Sequence, residues 1–389
     1  MSENTQELLE HHWAMDEVAA AELASRLEMH HQGYMIEAAV EPLDPVYVAR
    51  RDINRKLLGD VFSGKGKAAF ILGACSQTAG VDNGRLFDLI DELQEEFPIG
   101  EPDSSEGTIF GTRENGGKPR SALKTRGLAF STDPEERQAF FNHHLHAFSR
   151  GIPTMTEAVG GPHLATVAPY ISGDWMGTRN VLDTELRDIL SLIKLPAALK
   201  NSQSGRSIDV ECAITTIRAG SDEKDGSGAD LGSIGRSLRY LTGIDPGVLR
   251  VSSGNPNVAI IARGFELPEN MSPESRKVAA FKHLSELCSL AKKMGSVVLL
   301  DGSHDVPRMF DLEPSDQTRF VRSTHEINMG IREGRVTDGH LYKGNIHEIG
   351  VARGQTDVDF LIETDKDAEL VKSVVRETLE AIDSIKHSN

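Results

Sequence analysis

The sequence predicts an α/β protein, a closed (β/α)8 (TIM-type) barrel with an N-terminal helical extension, and three observations support this. Eight short apolar runs each end in a polar or charged residue. Stretches with apolar residues three and four apart separate most of them. The first run, "KAAFILGACS", leads into "GACSQTAG", which is too poor a dinucleotide turn for the alternative, an open doubly wound sheet.

Taken in order, residues 1–50 place Met15, Val18, Ala19, Leu23 and Leu27 along one face with charges opposite. This reads as a helical arm serving oligomerisation or regulation, ahead of a catalytic barrel over 51–389. After the first run come "GTIFGTREN", "IPTMTEAVG", "WMGTRN", "LPAALKNS", "NVAIIARG", "GSVVLLDGSH" and "EGRVTDGH". Buried strands alternating with helices imply parallel pairing, and "RLFDLIDELQEEF", "SIDVECAITTIRAG" and "SRKVAAFKHLSELCSLAKKM" have the helical period. Residues 221–233, "SDEKDGSGADLGS", read as an exposed loop.

A length of 389 residues with 39% hydrophobic residues is enough to bury a full core. The net charge of −17, from 59 acidic against 42 basic residues, disfavours nucleic acid and anionic membrane as partners and leaves small anions bound where cations cluster. No apolar run approaches the roughly 20 residues of a membrane helix, and the N-terminus lacks the regions of a signal peptide. The expected location is the cytoplasm. The three cysteines, Cys75, Cys212 and Cys288, suit a reducing compartment, as core thiols or ligands.

In a barrel of this kind chemistry sits at the carboxyl ends of the strands. The terminal residues of the eight runs are Cys75, Arg113, Glu157, Arg179, Lys200, Arg263, His304 and Asp338. Four cations around one mouth repel one another unless an anion sits among them. Arginine offers a planar fork to phosphate or carboxylate, although each cation could instead pair with one of the many acids. Cys75, His304, Asp338 and Asp357 form a plausible set of ligands for a divalent transition metal. The segment "TRENGGKPRSALKTRG" adds Lys118, Arg120, Lys124 and Arg126, the last two read as solvated. In "FNHHLHAF", two of His143, His144 and His146 are expected to face solvent, and Cys288 to pack in the core.

These pieces resemble the class I 3-deoxy-D-arabino-heptulosonate 7-phosphate (DAHP) synthases over about residues 50–370. "GACS", "R-x4-KPRS" (Arg113, Lys118, Pro119, Arg120, Ser121), "GTRN", "ALKNS", "SSGN", "IIARG", "DGSH" and "GHLYKGN" stand in the family's order. The resemblance implies a shikimate-pathway transferase that condenses phosphoenolpyruvate (PEP) with an aldose phosphate, erythrose 4-phosphate, releasing phosphate. It implies that Arg113 and Lys200 hold the PEP carboxylate, Arg179 and Arg263 its phosphate, and Arg120 and Ser121 the sugar phosphate. Lys118 would stand near the reacting carbons and Glu157 would assist addition of water. Cys75, His304, Asp338 and Asp357 would hold a divalent metal (Mn, Fe, Co or Zn) that polarises the aldehyde, with His304 counted also as catalytic. His340 matches a family histidine at the substrate site. By position, the arm resembles the family's regulatory extension, implying a homodimer or homotetramer and feedback by an aromatic amino acid.

The chain departs from the family at Ala74, where the family has Pro, at Ala122, at Asp305, Val306 and Pro307, and at Asp338, where the family has a Glu ligand. The changes at Ala122 and 305–307 fall on the aldehyde side while the PEP contacts are retained. PEP with a different aldehyde, in secondary metabolism, is therefore the second reading, and an anion-binding barrel without turnover the third.

Overall fold

Every residue of Ala68–Gly73 (β1) is buried, as a strand covered on both faces must be. The structure, a computed structural model, describes residues 45–73, 82–97, 107–114, 143, 144, 146, 147, 149–156, 171–177, 197–200, 258–262, 264, 267, 270–302, 305–313, 316–352 and 360–386. After β1 come Thr108–Glu114 (β2), Thr154–Thr156 (β3), Gly173–Gly177 (β4), Ala197–Lys200 (β5), Val258–Ala262 (β6), Val298–Asp301 (β7) and Tyr342–Gly350 (β8). Each pairs in parallel with the next, and β8 returns to pair with β1, closing the expected barrel. A two-residue strand, Phe360–Leu361 (β9), lies beside the end of β8.

The first seven predicted runs each overlap a strand; the eighth does not. "EGRVTDGH" is the turn between a helix and β8, with Gly334 and Asp338 in the left-handed region at φ 68° and 56°. Val336 is its one apolar residue, so it has no face to bury. "YKGNIHEIG" is the strand in its place.

The two-residue period of the strands sorts the interior into two cores. Ala69, Ile71, Ile109, Met155, Ala259, Ile261, Leu299 and Ile346 point into the barrel. There they join Leu57, Leu58, Val61 and Phe62 of the helix Pro45–Phe62 (α1), which plugs the end where the strands begin. The boundary expected between residues 50 and 51 falls inside α1, and residues 1–44 lie outside the described residues, as do Cys212 and the segment 221–233.

The alternate residues, among them Phe70, Leu72, Phe110, Val298, Leu300 and Ile349, face the surrounding helices. Among the described residues those helices are Gly84–Glu96 (α2), Pro273–Met294 (α3), Asp305–Met309 (α4), Arg319–Arg332 (α5) and Asp365–Lys386 (α6). Helix α2 buries Leu86, Phe87, Leu89, Ile90 and Leu93, the stripe its sequence period predicts. Helix α3 starts at Ser272, whose hydroxyl accepts from the Ser275 N–H, with Pro273 in its first turn, and stops at Gly295 at φ 65°. Cys288 is buried on it. Among the described residues no helix is long and apolar enough to cross a membrane.

The face that β8 presents inward is fixed by a buried polar knot on its outer side. Tyr342 donates its hydroxyl proton to the Asn345 side-chain carbonyl. The Asn345 amide donates to Thr378 Oγ1 of α6 (2.8 Å), to which Asn328 of α5 also donates (3.1 Å). With Asn345 held outward, Ile346 and Glu348 must point inward.

Two of the three histidines of "FNHHLHAF" are buried, contrary to expectation: His143 packs on Phe87, His144 reaches Thr154 Oγ1 at 3.1 Å, and His146 is exposed. Phe87 walls His143, while His144 stacks edge-on against His143 and reaches Thr154. Burial pushes the His143, His283 and His347 imidazoles down to about 3, and that of His144 well below its ordinary value. The unfolded chain titrates these groups near 6.5, so below that pH it binds protons that the folded chain does not take up. The stability of the neutral forms is complete above pH 6.5 and is lost progressively as the pH falls below it. Scanning calorimetry from pH 7.5 to 5 should show a falling Tm, with a shallower slope for His283→Gln.

Candidate active site at the carboxyl end of the barrel

Three buried charged side chains lie where the inward-facing positions of the strands run out. Arg113 is the penultimate residue of β2, Asp301 the last of β7, and Glu348 the third from the end of β8. Arg113 and Glu348 are each 1% exposed and Asp301 is fully buried. Water cannot solvate charges at such depth, so each must be matched by protein or ligand.

Arg113 and Glu348 match one another. Nη1 of the guanidinium donates to Oε1 of the carboxylate at 3.1 Å. They meet because β1 lies between their strands and ends in a residue without a side chain. Gly73 is opposite Glu348 in the ladder, and a Cβ on it would lie 2.2 Å from the Arg113 carbonyl oxygen. On the outer face of β8, next to Glu348, His347 packs edge-on against Phe320 of α5, with ring centroids 5.0 Å apart.

Lys200 is the last residue of β5, consistent with its expected place at a strand end. Cys75, Lys118, Arg120, Ser121, Glu157, Arg179, Arg263, His304 and Asp357 lie outside the described residues.

Asp338 and His340 are not at this mouth, which corrects the expected metal and substrate roles of both. The strand does not end at Asp338; it begins four residues later, so both residues sit at the opposite end of the barrel. His340 is exposed in a single 3-10 turn. The Asp338 carboxylate accepts from Lys292 Nζ (2.7 Å) and Ser289 Oγ (3.3 Å) at the end of α3. The Lys292 hydrogen bond holds it below the ordinary carboxylate range. Its work is to tie the turn before β8 to α3.

The inward position near the end of the eighth strand is held by Glu348, a residue that the sequence reading missed. The strand is hard to see because polar Lys343, Asn345 and His347 interrupt its apolar Tyr342, Ile346 and Ile349, which do not alternate by two. β7 ends at Asp301, three residues before His304, the residue expected at that strand end. Among the described residues no three His, Cys, Asp or Glu side chains are grouped to hold a metal.

A family model described as the DAHP synthetase I family matches residues 48–310. The phospho-2-dehydro-3-deoxyheptonate aldolase of Francisella tularensis SCHU S4 aligns with 87% of this chain and 94% of its own, at 17% identity and a TM-score of 0.55, and so shares the fold. The Thermotoga maritima protein of the same name aligns over 82% and 70% of the two chains, at 16% identity and a TM-score of 0.48. Comparison with curated protein sequences finds no match.

Asp338→Ala is expected to lower stability by about 1 kcal/mol through its lost hydrogen bonds and to leave ligand affinity at the mouth unchanged. Arg113→Ala, which strands a buried carboxylate, should cost about 3–5 kcal/mol in urea denaturation.

Proposed function

This chain belongs to the DAHP synthetase I family, and we propose that it condenses PEP with erythrose 4-phosphate in a metal-dependent reaction at the carboxyl end of its barrel. The family's reaction is carried out by transferases that join PEP to an aldose phosphate. The observation that carries the reading here is the pair of Arg113 and Glu348, a cation suited to the PEP carboxylate beside a buried carboxylate suited to a metal.

Cys75, His304, Glu348 and Asp357 would hold the ion, Glu348 replacing Asp338 and restoring the Glu that the resemblance implies. A thiolate, an imidazole and two carboxylates fit a borderline divalent ion such as manganese, iron, cobalt or zinc. Such an ion, when bound, supplies Lewis-acid polarisation of the aldehyde carbonyl.

The remaining steps are the chain's own. Arg113 and Lys200 orient the PEP carboxylate, and Arg179 and Arg263 its phosphate. Arg120 and Ser121 hold the sugar phosphate, which aligns the aldehyde carbon with C3 of PEP. Fixing both substrates in line removes translational freedom, worth up to about 7–11 kcal/mol in well-oriented cases. Lys118 stands beside the reacting carbons as the new bond forms. Glu157 takes a proton from the water that adds at C2, and phosphate leaves.

Ala122 and the run Asp305, Val306, Pro307 support a second reading, PEP with a different aldehyde, because they alter the aldehyde side alone.

Phosphate release should require PEP, erythrose 4-phosphate and manganese together and should vanish with a chelator. PEP binding without release, followed by turnover with another aldehyde in a panel, would select the second reading. PEP binding without turnover on any aldehyde would select an anion-binding barrel.

A further inference from the structure

Cations gathered at one mouth should repel one another, and Arg113 has a carboxylate beside it. The carboxylate of Glu348 lies 3.1 Å from it, with side-chain exposures of 2% and 1%. This is the protein's own anion, placed where the proposed function puts the carboxylate of PEP. A second carboxylate, Asp301, is buried at the same end.

A substrate carboxylate that reaches Arg113 therefore enters beside a negative charge. If it takes the Nη1 edge, it displaces the Glu348 carboxylate from the guanidinium and costs the buried pair its 3.1 Å contact. If it takes the other edge, two carboxylates share one guanidinium where little water reaches to screen them. Both routes are unfavourable until a positive charge arrives on Glu348. Conversely, a divalent cation drawing on Glu348 competes with Arg113 for its charge, and an anion on Arg113 removes that competition.

We propose that the Arg113–Glu348 pair couples the two ligands of this site, so that a divalent cation raises the affinity for PEP and PEP raises the affinity for the cation by the same factor. The proposal rests on the reading of the mouth as a PEP and metal site. It assigns Glu348 a second task, that of a counter-anion which keeps either ligand from binding well alone. Linkage requires the reciprocity, and couplings of this kind span about 5–150-fold.

The test is calorimetric titration of the metal-stripped full chain with PEP, in chelator and in saturating manganese, and of the same protein with manganese, with and without PEP. The expected result is about a tenfold or larger gain in each direction, equal in the two. The variant Glu348→Gln keeps the side-chain volume and removes the charge. In chelator it should bind PEP several-fold more tightly than the natural protein, a gain that loss of a metal ligand alone would not produce.

Equal PEP affinity with and without manganese in the natural protein would overturn the coupling, and so would unchanged PEP affinity in chelator for a Glu348→Gln protein whose circular dichroism matches the parent. If that variant does not fold, the two-way titration of the natural protein still decides. No PEP binding in either medium would overturn the reading of the mouth itself, and the coupling with it.

Discussion

Closure of the sheet through the pairing of β1 with β8 is the constraint on which the rest of this molecule depends. It puts β2 and β8 on either side of a single strand, and so brings together two residues 235 positions apart in the chain. Strand parity does the rest. Ile109 and Ile346 face the inner core, and parity turns Arg113, four residues on, and Glu348, two residues on, the same way. Neither side chain needs a loop to aim it. The ion pair follows from a closed barrel, two strands in phase, and a glycine between them at the exit of β1.

The two ends of the barrel have been given different tasks. At the starting end α1 fills the interior with Leu57, Leu58, Val61 and Phe62, and Asp338 ties a turn to α3. Those residues are placed for stability. At the other end the inner positions change from aliphatic to charged within two residues, from Ile346 to Glu348 and from Leu299 to Asp301. Outside the barrel, charged pairs join the first and last of these helices: Lys372 to Glu92 and Arg376 to Glu96, each at 2.5 Å. Exposed pairs of that kind contribute little singly, but they lie along the seam where the barrel closes.

The fold was legible because the first seven strands register as short runs and, among the described residues, the helix between β1 and β2 carries a clear apolar stripe. The eighth was misplaced for a physical reason. One side of β8 carries a polar knot, Tyr342, Asn345 and Thr378, instead of an aliphatic face, and its inner side ends in a carboxylate. A strand whose outward residues are satisfied by hydrogen bonds has no continuous apolar pattern to find. The run "EGRVTDGH" starts nine residues before β8, so the strand-end position it gives to Asp338 falls ten residues short of Glu348. The family match stops at residue 310, before this strand. Arg113 was found because it ends an apolar run, whereas its partner could be found only once closure had been drawn. Pairings between distant segments leave no local mark on either segment.

The same closure bears on how the protein is made. Until residues 344–348 have left the ribosome, β1 keeps one edge unpaired, and that edge belongs to a six-residue strand buried at every position in the finished protein. β7 has the same exposure on the opposite side. Open, apolar edges of this kind are templates for pairing with other chains, and contacts across nearly the whole chain form slowly. A polypeptide cut short before β8 would therefore be more than inactive. It would be a sheet with two adhesive rims, a natural client for chaperones and a seed for aggregation.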